Sequence, residues 1–187
     1  MRKAETQLGM QTTAQTWVGL VRAVNVGGTG KLSMQDLAAS CEACGLTAVK
    51  TYLASGNVLF RGPDDDVQLT QMLEARLTAL LKRPATLLLR DVPSLQAILA
   101  RNPFQHCDPA RTLVYFLPQQ VDGHPAVSGQ KHEEIFSSGR EIFVHYPDGI
   151  SDSRLRIPAA QSGTARNLNT VNKLLTMGQA LDASRTG

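Results

Sequence analysis

The feature that most constrains this chain is an apolar run from Trp17 to Val26, broken by Gly27, Gly28 and Gly30 and followed at once by helical spacing. Val and Leu dominate the run with few polar breaks, the composition of a buried central strand. The glycines then permit a positive φ, or an approach of backbone that a Cβ would forbid. Ser33 stands where an N-cap belongs, Asp36 completes a capping box, and Leu32 and Leu37 flank the cap as a hydrophobic staple. Met34, Leu37, Ala38, Cys41 and Cys44 share a helical face and Gly45 ends it, which predicts a helix over 33–44.

Short apolar runs continue to alternate with helical ones. Residues 48–53 and 56–61 read as strands on either side of Ala54-Ser55. The aspartates of 62–66 suit the positive end of a helix over 67–82, whose apolar face is Leu69, Leu73, Leu77 and Leu80. A strand over 85–90 closes a β-α-β-β-α-β series. Beyond it come a short helix over 93–101, a polar connection and a strand over 112–117. Residues 119–129 read as a poor helix broken by Gly123 and Pro125. A hairpin over 131–137 and 141–146 turns at Ser138-Gly139-Arg140. A weak helix over 151–160 is limited by Pro158, 163–166 is extended, and Asn169 caps a final helix carrying Val171, Leu174, Leu175 and Leu181.

The expected fold is α+β: a tandem duplication of a β-α-β-β-α-β subdomain in ferredoxin-like order, plus a C-terminal helix. Residues 16–91 are the first subdomain, 92–111 a connection with a short helix, and 112–187 the second subdomain. Residues 1–15 are expected to be a disordered extension. The repeat lies in element order; no residue-level identity between the halves stands out.

A length of 187 residues with 42% hydrophobic and 19% charged content suits a globular chain with a sizeable core. Its 19 basic and 16 acidic residues give a net charge of +3, which permits an anionic partner without demanding one. Three cysteines argue against a disulfide framework and fit a reducing, cytoplasmic setting. No window approaches the roughly 18 consecutive apolar residues of a membrane span, and the start of the chain has no apolar run of the kind a secretory signal needs.

The stretch Leu20-Val21-Arg22-Ala23-Val24-Asn25-Val26-Gly27-Gly28 resembles a bacterial family known as the domain of unknown function DUF1697. The resemblance runs on through Lys31-Leu32-Ser33-Met34 and Thr51-Tyr52-Leu53-Ala54-Ser55-Gly56-Asn57-Val58. It returns at Asn102-Pro103-Phe104, at Gly139-Arg140-Glu141, at Tyr146-Pro147-Asp148-Gly149 and at Thr164-Ala165-Arg166-Asn167-Leu168-Asn169. The chain departs from the family at Ala23 and Val24, where members usually carry Gly-Ile, and in a shorter, proline-containing segment before Thr164. The resemblance implies two packed α+β subdomains and carries no activity or cofactor with it.

Candidate ligand-binding residues are Arg22, Asn25, Gly27, Gly28, Lys31, Ser55, Asn57, Arg166 and Asn167. The glycine turn fails the phosphate-loop pattern G-x-x-x-x-G-K-[ST] twice, since Asn25 replaces its first glycine and Leu32 follows Lys31. Backbone amides and Lys31 can still receive an anion there; the alternative is a tight structural turn. Arg22 emerges from a core strand and needs a carboxylate, carbonyls or a ligand anion. Ser55 has no histidine near it in sequence to act as a base. Arg166-Asn167 at a helix mouth is either an anion clamp or ordinary capping, with Arg166 solvated or paired to Asp148 or Asp152. Cys41 and Cys44 have redox spacing but sit on an apolar helical face, so packing is the expected role, and no histidine or cysteine spacing builds a metal site. The reading that results is a binding module for an anionic small molecule or nucleic acid at the cleft between subdomains. The alternatives are a small enzyme acting in that cleft on a phosphorylated or carboxylated substrate, and a protein-interaction scaffold. Arg22, Lys31 and Arg166 are expected to converge there.

Overall fold

The computed structural model describes residues 14–22, 24 and 31–184. Asn25, Gly27, Gly28 and Gly30 of the glycine turn, and the expected N-terminal extension up to residue 13, lie outside the described residues. The first half contains β1 (Gln15–Val21), α1 (Met34–Glu42), β2 (Thr47–Tyr52), β3 (Asn57–Gly62), α2 (Asp66–Leu81), β4 (Leu87–Asp91) and α3 (Val92–Ala100). The second contains β5 (Thr112–Phe116), β6 (Glu134–Ser138), β7 (Glu141–His145), β8 (Thr164–Asn167) and α4 (Leu168–Ala183). Each half builds a four-stranded antiparallel sheet, ordered β2-β3-β1-β4 and β6-β7-β5-β8.

Local chemistry sets several boundaries. Ser33 caps α1 by accepting from the Asp36 N–H at 2.9 Å, and Asp65 caps α2 by accepting from Gln68 N at 2.9 Å. Each such bond satisfies a donor that the first helical turn leaves open. Leu37 and Cys41 of α1, with Leu69, Leu73 and Leu77 of α2, close over one face of the first sheet together with Trp17, Val58, Phe60 and Leu87.

A second core is shared by the halves. Val18, Leu20, Leu59 and Leu88 from the first sheet meet Val114, Phe116 and Phe143 from the second. Leu95 and Ile98 of α3 and Leu168, Val171, Leu174 and Leu181 of α4 complete it. Each fully buried Leu or Phe contributes about 1.5–3 kcal/mol of hydrophobic stabilisation. Helices α3 and α4 pack together closely: a Cβ on Gly178 would stand 2.6 Å from Val92 Cγ2.

The second half differs from the expected pattern. Residues 119–129 form no helix, because Gly123 and Gly129 adopt positive φ of 67° and 68° and Pro125 interrupts the backbone donors between them. The expected helix over 151–160 shrinks to a 3-10 turn, Pro158–Ser162. These segments instead lay Val121, Val127, Leu155 and Ile157 over Leu117, Ile142, Val144 and Tyr146 as a third, loop-covered core. The cap of α4 is Asn167, whose Oδ1 accepts from Thr170 N at 2.9 Å. Asn169 lies inside the first turn, since β8 pairing with β5 holds the chain extended only as far as Asn167.

Candidate functional site

Strand register aligns the halves residue by residue. Val18 of β1 lies opposite Leu59 on one side and Arg90 on the other. Val114 of β5 lies opposite Phe143 and Arg166 in the same way. Leu20 faces Asn57, and Phe116 faces Glu141. Asp91, opposite Trp17, ends β4 and caps α3; Asn167, opposite Leu113, ends β8 and caps α4. Thus Arg90-Asp91 and Arg166-Asn167 occupy matching places, and so do Asn57 and Glu141.

Each of these arginines crosses the seam into the other half. Arg166 donates through Nε to Asn57 Oδ1 at 2.6 Å. Its Nη2 reaches the Val21 and Ser55 carbonyls at 3.1 and 2.7 Å. Its Nη1 stays within its own half, donating to Thr164 Oγ1 and the Ala165 carbonyl at 2.7 and 2.8 Å. These bonds use every donor of the guanidinium fork. Arg90 mirrors this: Nε donates to Glu141 Oε1 at 2.8 Å and Nη2 to the Leu117 carbonyl at 3.1 Å. The backbone agrees, with Val21 N donating to Gly56 O and Leu117 N to Arg140 O, both at 2.8 Å.

The two locks differ in charge. Arg90 is buried against a buried carboxylate, with side-chain exposures of 3% and 4%, and Arg101 reaches the other Glu141 oxygen at 3.3 Å. Arg166 is only 7% exposed and Asn57 fully buried, and all of Arg166's acceptors are neutral. Among the described residues it forms no ion pair, so neither Asp148 nor Asp152 is its partner; Asp148 contacts His132 instead. Burial pulls the Arg166 guanidinium down to about 10. Burial also lowers Arg90, and there Glu141 opposes the shift.

Arg22 joins the Arg166 end of the seam. Its Nε donates to Gly163 O at 3.1 Å and its exposed Nη2 to Gln161 O at 2.6 Å. Gly163 and Thr164 are adjacent in the chain, as are Val21 and Arg22, so the two guanidiniums flank the same strand ends. Ser55 is exposed; its Oγ accepts from Asn57 Nδ2 at 3.0 Å while its carbonyl receives Arg166. The other Asn57 Nδ2 bond goes to the Tyr52 carbonyl at 2.7 Å. Asn167 spends its carbonyl oxygen on capping α4. Lys31 is exposed on the approach to α1 and forms no ion pair among the described residues. The structure therefore brings Arg22, Ser55, Asn57 and Arg166 together, with Asn167 alongside in sequence, and does not tie Lys31 to them.

Arg90, Arg101 and Glu141 form the part of the seam that sequence reasoning misses. The available signal was the repeated dipeptide, Arg90-Asp91 and Arg166-Asn167, each joining a strand directly to a helix. Cys41 is buried with its thiol pushed up to about 12, first by burial and then by Cys44 and Glu42. That is the environment of a packing residue. Among the described residues no cluster of His, Cys, Asp or Glu could hold a metal ion, and no helix is long and apolar enough to cross a membrane.

The family model described as a protein of unknown function, DUF1697, matches residues 14–143. A conserved bacterial protein from Streptococcus pneumoniae has a similar solved structure, with a TM-score of 0.71 at 24% identity. The match covers 88% of this chain and 98% of that one, and at this identity it speaks for the fold. Comparison with curated proteins finds no match.

Proposed function

We propose, for a chain that belongs to the DUF1697 family of proteins of unknown function, a non-catalytic binding role in which an anionic ligand is received at the Arg22–Arg166 end of the seam. The observation that carries this reading is the contrast between the matching locks. Arg90 has Glu141 as counter-charge, whereas Arg166 meets Asn57 at the corresponding place. A buried guanidinium without a carboxylate keeps its positive field, and nearby low-dielectric surroundings screen that field poorly. A carboxylate at position 57 would also set an acceptor against the Tyr52 carbonyl that Asn57 now satisfies. The counter-charge is therefore left to come from outside.

Arg22 is the element that meets the ligand, because Arg166 has no donor to spare and Arg22 is half-buried with its Nη2 near solvent. Guanidinium suits phosphate and carboxylate groups, which accept paired N–H donors. The ligand class is a nucleotide, a nucleic-acid backbone or a phosphorylated metabolite. The matching registers and repeated Arg-cap dipeptides also support descent of both halves from one β-α-β-β-α-β unit of ferredoxin-like order, the second having lost the α-helices between β5 and β6 and between β7 and β8.

The test is thermal unfolding at low salt with inorganic pyrophosphate, nucleoside triphosphates and a short RNA, on the wild type and on Arg22→Gln. A ligand at about 100 times its Kd stabilises by about 2.7 kcal/mol, a rise of about 5–10 °C for a chain of this size. The rise is expected to shrink with salt and to vanish in Arg22→Gln. No rise with any of these ligands, or an equal rise in the variant, refutes the reading.

A further inference from the structure

We propose that Arg154 and Arg156 form a second anion subsite, for a phosphate-bearing ligand, on the loop-covered face of the second half. The segment Arg154-Leu155-Arg156-Ile157 alternates polar and apolar residues with the period of an extended strand. Leu155 and Ile157 pack into the third core, so the intervening arginines face the other way, and both are exposed. An isolated antiparallel bridge fixes the segment: Ser128 N donates to Arg156 O at 3.0 Å and Arg156 N to Ser128 O at 2.8 Å. Directly paired residues share a face, so Ser128 stands beside Arg156 on the arginine side.

Gly129 lets the two segments cross this tightly. Its φ is +68°, and a Cβ there would lie 2.2 Å from the Arg154 carbonyl oxygen. The result is an open surface pocket of about 600 Å³ lined by Ser128, Gly129, Ser153, Arg154, Leu155 and Arg156, of a size that can seat a small ligand. Neither arginine forms an ion pair among the described residues. The acidic groups Glu133, Asp148 and Asp152 line a separate pocket that shares Ser153 with this one. Glu133 is already engaged there by Ser153 Oγ and by Lys131 N at 2.6 Å. Two unneutralised guanidinium forks, two residues apart on a pinned extended backbone, can each offer paired N–H donors to one tetrahedral dianion. The open pocket leaves room for the body of a phosphorylated molecule beyond that group.

The experiment is a titration with inorganic pyrophosphate at low salt, followed by amide chemical shifts in the wild type, in the double variant Arg154→Gln/Arg156→Gln and in Arg22→Gln. Both substituted side chains of the double variant are exposed, so folding is expected to survive, and the amide spectrum itself reports it. Expected are saturable shifts at Ser128, Gly129, Leu155 and Arg156, weakened at least tenfold in the double variant and unchanged in Arg22→Gln. Absence of shifts at those amides, or an unchanged affinity in the double variant, overturns the proposal. Shifts confined to the neighbourhood of Arg22 and Gly163 overturn it as well, while leaving the seam reading standing.

Discussion

Replacing Glu141 by Gln is the most direct probe of how the halves are joined. The substitution keeps the shape of the side chain and removes the charge that faces Arg90 at 2.8 Å, with both groups almost wholly buried. At an effective dielectric of about 20, a contact pair of unit charges attracts by about 4 kcal/mol before desolvation. Breaking one partner out of a buried pair typically costs about 3–5 kcal/mol. Two features pull the value toward the lower end. Arg90 keeps the Leu89 and Leu117 carbonyls, and the Arg166 lock shows that a buried guanidinium is tolerated among neutral acceptors. The half-exposed Arg101 adds no more than about 1 kcal/mol. A loss of about 3 kcal/mol is therefore expected against a total stability on the order of 5–15 kcal/mol. In urea, with a slope of about 2 kcal/mol/M, the midpoint falls by about 1.5 M at constant slope. Circular dichroism of wild type, Glu141→Gln, Arg90→Met and the double variant forms the cycle. The double variant is expected to recover most of the loss, because no charge is then left unpaired. A single variant within about 0.5 kcal/mol of wild type, or a double variant no better than the single one, shows that the pair is not what holds this end of the seam.

Two further outcomes rest on packing. Gly178→Ala in α4 would ordinarily gain helix propensity of about 1 kcal/mol. Here the new Cβ meets Val92 Cγ2 at 2.6 Å, so a net loss of about 1–3 kcal/mol is expected; a stabilised variant in chemical denaturation contradicts the close α3–α4 approach. Cys41, buried with its thiol raised to about 12, is expected to resist a thiol-reactive reagent at neutral pH until the protein unfolds. Mass spectrometry showing Cys41 modified in the native protein as fast as Cys44 contradicts that placement.

Much of the first half was legible because its signals are local. Ser33 and Gly45 bracket α1, aspartates precede α2, and Ala54-Ser55 separates two short apolar runs that become β2 and β3. The second half resisted because its covering segments are held by tertiary contacts rather than by periodicity. Val121 and Val127 are too few and too far apart for a helical stripe, yet they suffice to roof a sheet. Asn167 and Asn169 are equally good caps by composition; only β8 pairing decides between them. The residue-level repeat stayed hidden because equivalent places hold different side chains, Asn57 against Glu141 and Val21 against Leu117. Of the candidate site, Arg22, Ser55, Asn57 and Arg166 were each named from sequence. Their mutual bonding could not be, since the partners of Arg166 are mostly backbone carbonyls, which leave no trace in residue identity.

The final residue of β4 and of β8 is also the cap of the helix that follows, and the residue just before it is the arginine that reaches across. Swinging either helix outward would drag a buried, hydrogen-bonded guanidinium from its socket and expose an interior to which both halves contribute. The molecule therefore cannot gape like a pair of jaws to swallow a guest. On the proposed reading, a ligand of the seam settles on its rim, where Arg22 stands, and selectivity there comes from the outline of that rim rather than from any closing motion.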